Sequence, residues 1–548
     1  MNPNQQFRRL LSKQTISIKF INNSVSMIMV NFKRMTVAPQ KYGKVAMLRL
    51  SSFVCAGLIV SGCSISPSPL TLEELKSTQA VRQQQLMEGQ EAVVKEISLY
   101  EAMARAIKYN LDYRVEIYEQ ALRVSERKLA KVDLLPQVVA STGLNRRDNF
   151  SGSSSSALLG SNTVGEQSLV SSTSSERDVV NSDLRISWDI LDFGLSYVRA
   201  KQSGDQVLIA NERKRRVLNR VIANVRTAYW RAVSAERLVD RLKDLESDIQ
   251  GALYASEESY RDRQIAPLAA LTYQRELLQI QEEIQDMEND LKLAKTQLAA
   301  LMNIDPGTDY ALVVPDRSNN LTAVKFLPSK LVDFALKNRP ELRELSYEQR
   351  INEREANAAL LEILPNLSFF GGFNHNDNDF LFNSSWRSWG AQASWNILNA
   401  YRYPFRKRAV EVNGQLLDQR ALALTMAIIT QVHVSASQFE VAKRSLDTSS
   451  RFNNVNNSIL EQTVAGHNAR KVSDQTLVRE RMNQLVSEVR YDIAYADLQN
   501  SYADIFATVG LQVHGDVNAD EMTVEQLAEH LGDFWIRLKN SMEKKSNG

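Results

Sequence analysis

The side chains that could do chemistry are few and scattered in this chain of 548 residues. Five histidines, His375, His433, His467, His514 and His530, lie far apart, and none belongs to an H-E-x-x-H pair that would hold zinc. No glycine-rich phosphate cradle is found, so no nucleotide or motor site is read here. The abundant carboxylates alternate with Lys and Arg as on solvated helix faces, and nothing singles out an acid pair for glycoside chemistry. An enzyme is therefore the weakest class, and neither a cofactor nor a metal centre is expected. The one side chain placed for covalent chemistry is Cys63, directly after Val60-Ser61-Gly62.

That cysteine closes a targeting segment. Positions 1–62 hold nine Lys or Arg and no Asp or Glu, and Lys41, Lys44 and Arg49 precede an apolar stretch from Phe53 to Val60 that is too short to span a bilayer. The segment resembles the bacterial lipoprotein signal, which implies that Cys63 is lipidated and becomes the mature N-terminus. Ser64 behind it is, by the same resemblance, compatible with the outer membrane. The stretch before Met47 is long for such a signal, so translation from Met35 or Met47 stays open. Cys55 would leave with the signal, and the mature chain could then form no intramolecular disulfide. Without the leader, 57 basic residues face 64 acidic ones, a charge of −7 that argues against nucleic acid as a partner. Residues 63–94, rich in Pro, Ser, Gln and Glu, read as a tether.

The rest of the chain is written twice. Residues 102–136 superpose on 331–365 without a gap, setting Ala106 on Ala335, Tyr118 on Tyr347 and Pro136 on Pro365. In each copy a helical pattern runs into Leu-Pro and an alternating run follows, so a helix stops and a strand starts. A second match, SWDILDFG on SWNILNAY, sets Trp188 on Trp395, and the same offset carries Asp290 onto Asp497 and Asn303 onto Gly510. Each half is helix, strand, loop, strand, long helix pair. The boundaries expected are a first repeat at 95–303, a linker at 304–330 broken by Pro306, Gly307 and Pro315, a second repeat at 331–510 and an extension at 511–548.

Between the first two strands, residues 146–182 are dominated by Ser and read as a solvated loop. The second loop is shorter, with Phe380 and Phe382 at its tip. Four strands of about ten residues can each cross a bilayer when tilted, but four cannot close a barrel and lipid tolerates no open edge. Several copies must share one barrel, two or three by this argument alone. Trp188, Trp386, Trp389 and Trp395 suit interfacial aromatic girdles.

From Tyr197 to Arg261 no Pro occurs, and Leu218, Val221, Val225, Ala228, Ala232, Ala235, Val239, Leu242, Ile249 and Leu253 recur mostly three and four apart. A partner descends from Pro267 to Leu301, and the second half repeats the pair from Arg406 to Phe506. The hairpins turn near Tyr260 to Pro267 and near Gly466 to Asp474. Arg263 stands near the place of Gly466, and the spacing onward to Gly510 suggests an extra turn. Arg470 and Asp474 are spaced to pair on one helix face. In the extension, Thr523 with Gln526 has capping-box spacing, and Leu527, Leu531, Phe534, Trp535 and Leu538 share a stripe that would dock a helix.

The openings ISLYEAMARAIKYNLDY and LPSKLVDFALKNRPEL, with SWDILDFG and the duplication, resemble the TolC family of outer-membrane export channels from about residue 95 to 515. The resemblance implies a mainly α fold with short β: three copies sharing a 12-stranded transmembrane barrel above a periplasmic helical tube. It implies a passive conduit in a tripartite efflux or type I secretion system, working with a periplasmic adaptor and an inner-membrane ABC or proton-driven pump. The hairpin turns would form a closable aperture, for which Tyr260, Arg263, Arg470 and Asp474 are candidates. A periplasmic coiled-coil scaffold without a pore is the competing class.

Overall fold

The computed structural model describes residues 68–93, 96–262, 266–317, 321, 324–511 and 519–546. The targeting segment, Cys63, Arg263 and His514 lie outside the described residues, as does the side chain of Leu538. The chain divides into two compact units, Met1–Arg82 and Gln83–Gly548. Half of the stretch expected as a tether is helix α1 (Leu72–Met87). Its Leu, Glu, Lys, Gln and Ala are good helix formers. Thr71 opens it with a capping box: the Thr71 N–H donates to Glu74 Oε2 at 2.8 Å, and the Glu74 N–H donates to Thr71 Oγ1 at 3.3 Å.

In the larger unit the duplication shows in element lengths. Helices α2 (Leu99–Tyr109) and α3 (Leu111–Val132) return as α6 (Pro328–Asn338) and α7 (Pro340–Leu361), 11 and 22 residues each time. Helices α4 (Ile190–Arg261) and α8 (Ile397–Asn468) are both 72 residues, and α5 (Pro267–Leu301) and α9 (Asp474–Thr508) are both 35. At 1.5 Å per residue the longer helices reach about 108 Å. The extra turn expected from the spacing onward to Gly510 does not exist: with equal lengths, Arg263 falls opposite Arg470, and Gly466 falls opposite Ser259. Helix α8 also starts before Arg406 and passes through Pro404, because Asn396 caps it by accepting from the Leu398 N–H at 3.2 Å.

The four main strands are β1 (Gln137–Arg146), β6 (Asp178–Asp189), β7 (Asn366–Asn376) and β8 (Ser385–Ser394), paired antiparallel in the order β1-β6-β7-β8. The Ser-rich segment is not wholly irregular. It forms two small ladders, β2 (Gly152–Ser153) with β5 (Ser172–Thr173) and β3 (Ser156–Gly160) with β4 (Thr163–Gln167). Backbone pairing orders it where its side chains have too little apolar surface to do so.

Helix ends explain the waist. Asn303 and Gly510, superposed by the repeat, both take positive φ, 56° and 74°. Each closes a helix with a bond back along the last turn: Ile304 N–H to Ala299 O at 2.9 Å, Leu511 N–H to Phe506 O at 3.2 Å. At Gly510 a Cβ would lie 2.8 Å from the Arg339 Cα, so only glycine fits; Asn303 uses the next most tolerant residue. The helix above then supplies a donor to the end of the helix below. Asn110 Nδ2 donates to Leu301 O at 3.1 Å, and its counterpart Arg339 donates to Thr508 O at 3.2 Å. Columns α5–α3 and α9–α7 are thereby stitched end to end. Above the waist the helices lie side by side as α3, α4, α7, α8; below it as α5, α4, α9, α8.

One face of α4 carries the main core through Leu218, Val221, Ile222, Val225, Tyr229 and Ala232, packed with α2, the linker and the C-terminal helix. The linker bridges Ile97 to Leu312, and the Tyr229 hydroxyl donates to Val313 O at 2.8 Å. Helix α10 (Val524–Ser546) starts at the expected Thr523–Gln526 box and buries Leu527, Leu531 and Trp535, with Arg226 stacked 4.5 Å from the Trp535 ring.

Ion pairs, two of them centred on the buried acids Asp492 and Asp205, join the two repeats. Asp492 of α9 accepts from Arg237 of α4 and, at 2.6 Å, from Arg317 of the linker. Asp205 of α4 holds Arg350 and Arg354 of α7, while Glu344 of α7 holds Arg213 at 2.6 Å and Arg216 at 3.1 Å. Burial alone would raise the Glu488 carboxyl, but Arg241, Gln484 and Arg317 outweigh it and hold the group below the usual glutamate range. Its contribution is complete at neutral pH and is lost as pH falls from the ordinary glutamate range through that lowered value.

Asp492→Ala leaves Arg237 and Arg317 without their shared acceptor, and is expected to cost roughly 3–5 kcal/mol in denaturant unfolding. A loss under about 1 kcal/mol would show that the clamp is not structural.

Candidate functional site: the wall and its tips

Register assigns each strand residue to a face. One face carries Val138, Ala140 and Leu144 of β1, Val180, Leu184, Ile186 and Trp188 of β6, Leu367, Phe369 and Phe373 of β7, and Trp389, Ala391 and Ala393 of β8. The other carries Ser141, Asn145, Asn181, Asp183, Arg185, Ser187, Asn374, Ser388 and Gln392, cross-linked by bonds such as Asn374 Nδ2 to Ser388 Oγ at 2.8 Å. A soluble sheet would cover its apolar face, yet Leu184, Ile186, Phe369, Phe373 and Trp389 are all exposed in the single chain. Strands β1 and β8 each leave one edge unpaired.

The four tryptophans separate. Trp188 and Trp389 point to the apolar face, Trp188 edge-on to Phe193 at 5.5 Å. Trp395, just past β8, donates its indole N–H to Ile363 O at 2.9 Å. Trp386 belongs to the polar face, opposite Asn374, and so leaves the interfacial group in which the sequence placed it. Phe380 and Phe382 are exposed on the short loop. That loop is tied to the long one through Asn378, whose amide donates to Ser174 O at 3.1 Å and accepts from the Glu176 N–H at 3.1 Å.

At the far end the turns are tight. Helix α8 stops at Asn468, Arg470 takes φ 57°, and Ser473 caps α9 by accepting from the Thr476 N–H at 3.3 Å. Arg470 and Asp474 therefore do not share a helix face. Asp474 instead meets His467 Nε2 at 2.6 Å. A Cβ at Gly466 would lie 2.6 Å from a Val472 methyl, which explains a glycine there. In the first turn Tyr260 is exposed on the last turn of α4. The pairs that hold the two hairpins together were not singled out by sequence, because their partners are more than two hundred residues apart. Arg479 meets Glu276 at 2.6 Å, and Arg481 meets Asp248 at 2.5 Å. They flank an apolar cluster including Leu245, Ile249, Leu277, Met482 and Leu485.

The outer edges of the helix layer are apolar and bare. Leu111, Val115, Tyr118, Leu122, Leu129 and Val132 follow heptad spacing on α3 without a covering helix. The repeat shows what should cover them. Ile209 of α4 is 2% exposed and its counterpart Leu416 of α8 46%; Val198 is 9% exposed and its counterpart Phe405 66%. On the receiving side, Ala358 of α7 is 7% exposed and its counterpart Leu129 of α3 65%. The contact made once inside the chain is left open at both edges.

No protein-family model and no curated protein matches the chain. Solved structures do. The outer-membrane channel CmeC of Campylobacter jejuni shares 15% identity over 81% of this chain and 94% of its own, with a TM-score of 0.59. The open state of the outer-membrane channel MtrE of Neisseria gonorrhoeae shares 14% over 75% of this chain and 88% of its own, at 0.56. The outer-membrane channel OprN shares 15% over 75% and 89%, at 0.59.

Removing the cross-hairpin pairs with Arg479→Ala and Arg481→Ala is expected to change global stability by less than about 2 kcal/mol, since exposed pairs contribute about 0.2–1 kcal/mol each. It should speed amide exchange in 474–485 about fivefold or more. Unchanged exchange would mean that the apolar cluster alone holds the tip. The chain has the fold of the outer-membrane channels of the TolC family.

Proposed function

We propose that the chain is the outer-membrane channel of a tripartite export system, formed by three copies in a ring. The observation that carries this reading is the four-stranded sheet with a bare apolar face, a polar opposite face and two unpaired edges. In lipid every backbone group needs a partner, so the edges must meet other edges, and three copies would pool twelve strands. The helices support the same closure. At every level one edge belongs to the first repeat (β1, α3, α5) and the other to the second (β8, α8), so copies join head to tail and the ring must close. The chemistry at the two kinds of seam differs. Asp205, Arg350 and Glu344 clamp the seam inside a chain, whereas their counterparts Val412, Ala121 and Val115 offer apolar surface between chains.

The polar face of the strands would line a water-filled conduit open to the exterior. The tube would reach toward an inner-membrane pump, ABC or proton-driven, with an adaptor docking on the hairpin tips to part them. Conduction is passive. Cys63 would carry the acyl anchor.

Purified protein in a planar bilayer is expected to conduct, more so when Arg479→Ala and Arg481→Ala loosen the tips. A ring that never passes ions, even with those changes, would instead be a scaffold. Leu129→Glu places a charge in the bare seam and should reduce the ring to single chains on a native gel; an intact ring would refute the seam. Cys63→Ser should abolish acyl labelling, and persistent labelling would move the anchor elsewhere.

A further inference from the structure

The apolar face of the sheet contains one charge without a carboxylate. Arg146 lies on that face but is neutralised by Asp178, Nε to Oδ1 at 2.9 Å and a terminal nitrogen to Oδ2 at 3.0 Å. His375 meets Ser385 Oγ at 2.9 Å. Arg387 of β8 has no ion-pair partner among the described residues. It is exposed, and its guanidinium lies 5.2 Å from the centre of the Phe373 ring on the neighbouring strand. Two residues along the same face, Trp389 is 89% exposed.

A guanidinium facing hydrocarbon is costly at mid-membrane, by about 2–4 kcal/mol, and nearly free of cost at the interface. Arg387 is the third residue of β8 counted from its loop end, about 7 Å along the strand. On the reading above, that end faces the exterior. The side chain thus sits at headgroup depth, where Phe373 holds its stem flat and Trp389 lies at the acyl boundary.

We infer that Arg387, Phe373 and Trp389 form a seat for a lipid with a phosphate-bearing headgroup in the outer leaflet. The guanidinium would donate to the phosphate oxygens, and the two rings would pack against the glycerol or sugar region. The inference rests on the membrane-channel reading and adds the lipid that this face selects.

The test is native mass spectrometry of the full-length ring released from vesicles of phosphatidylcholine mixed with phosphatidylglycerol. The ring is expected to retain phosphatidylglycerol above its share of the mixture. Arg387→Gln should lower that enrichment about fivefold, the effect of one basic residue at a charged surface. Arg146→Gln, whose parent is already neutralised, should leave it unchanged. Equal enrichment in Arg387→Gln and the parent overturns the inference. If Arg387→Gln fails to assemble, the parent ring decides alone: no enrichment of the phosphorylated lipid overturns it. Inorganic phosphate in lipid-free detergent serves as a control, and displacement of the bound lipid by millimolar phosphate would reduce the seat to a free-anion site and overturn the lipid assignment. A parent that conducts but shows no lipid preference sinks this inference alone, whereas one that neither inserts nor conducts sinks the channel reading first.

Discussion

The structure depends on backbone hydrogen bonds that one chain cannot complete. Four antiparallel strands leave a row of amide and carbonyl groups bare on β1 and another on β8, and the helices below leave apolar heptads bare on α3 and α8. Both deficits lie on the same two edges. In water such edges invite aggregation; in lipid they are forbidden. A closed ring of identical chains would remove both at once.

Duplication supplies the geometry of that closure. The chain makes one seam internally, between α4 and α7, and leaves the two halves of a second seam bare at its edges. The internal seam is clamped by Asp205 and Glu344, and below the waist Asp492 joins α4 to α9; at the bare edges the counterparts of Asp205 and Glu344 are Val412 and Val115. A polar seam needs its partner present from synthesis, since an unpaired buried acid is costly. An apolar seam tolerates a period of exposure before assembly. The waist, with its end-to-end stitching by Asn110 and Arg339, lets two pairs of shorter helices act as continuous staves beside the unbroken α4 and α8.

Much of this was legible in the sequence because the repeat is written in residues whose types are physically constrained. Pro136 and Pro365 mark where helix gives way to strand, and Asn303 on Gly510 marks a left-handed cap that few residues tolerate. The 3,4 spacing from Leu218 to Ile249 gave the buried stripe of α4. What sequence misjudged was local. Arg470 and Asp474 have helical spacing, but a positive φ at Arg470 breaks the helix between them. Trp386 has the right type for an interface, yet the register places it on the polar face. The cross-hairpin pairs of Arg479 and Arg481 were invisible because no periodicity links residues in different repeats. The Ser-rich segment looked structureless because side chains were weighed and backbone ladders were not.

The central claim is that single chains close into a ring through their bare edges. The most direct measurement is the mass of the detergent-solubilised, native particle by mass spectrometry. Three chains per particle is the expected result. A particle that remains a single chain, with its strands intact by circular dichroism, would contradict the account.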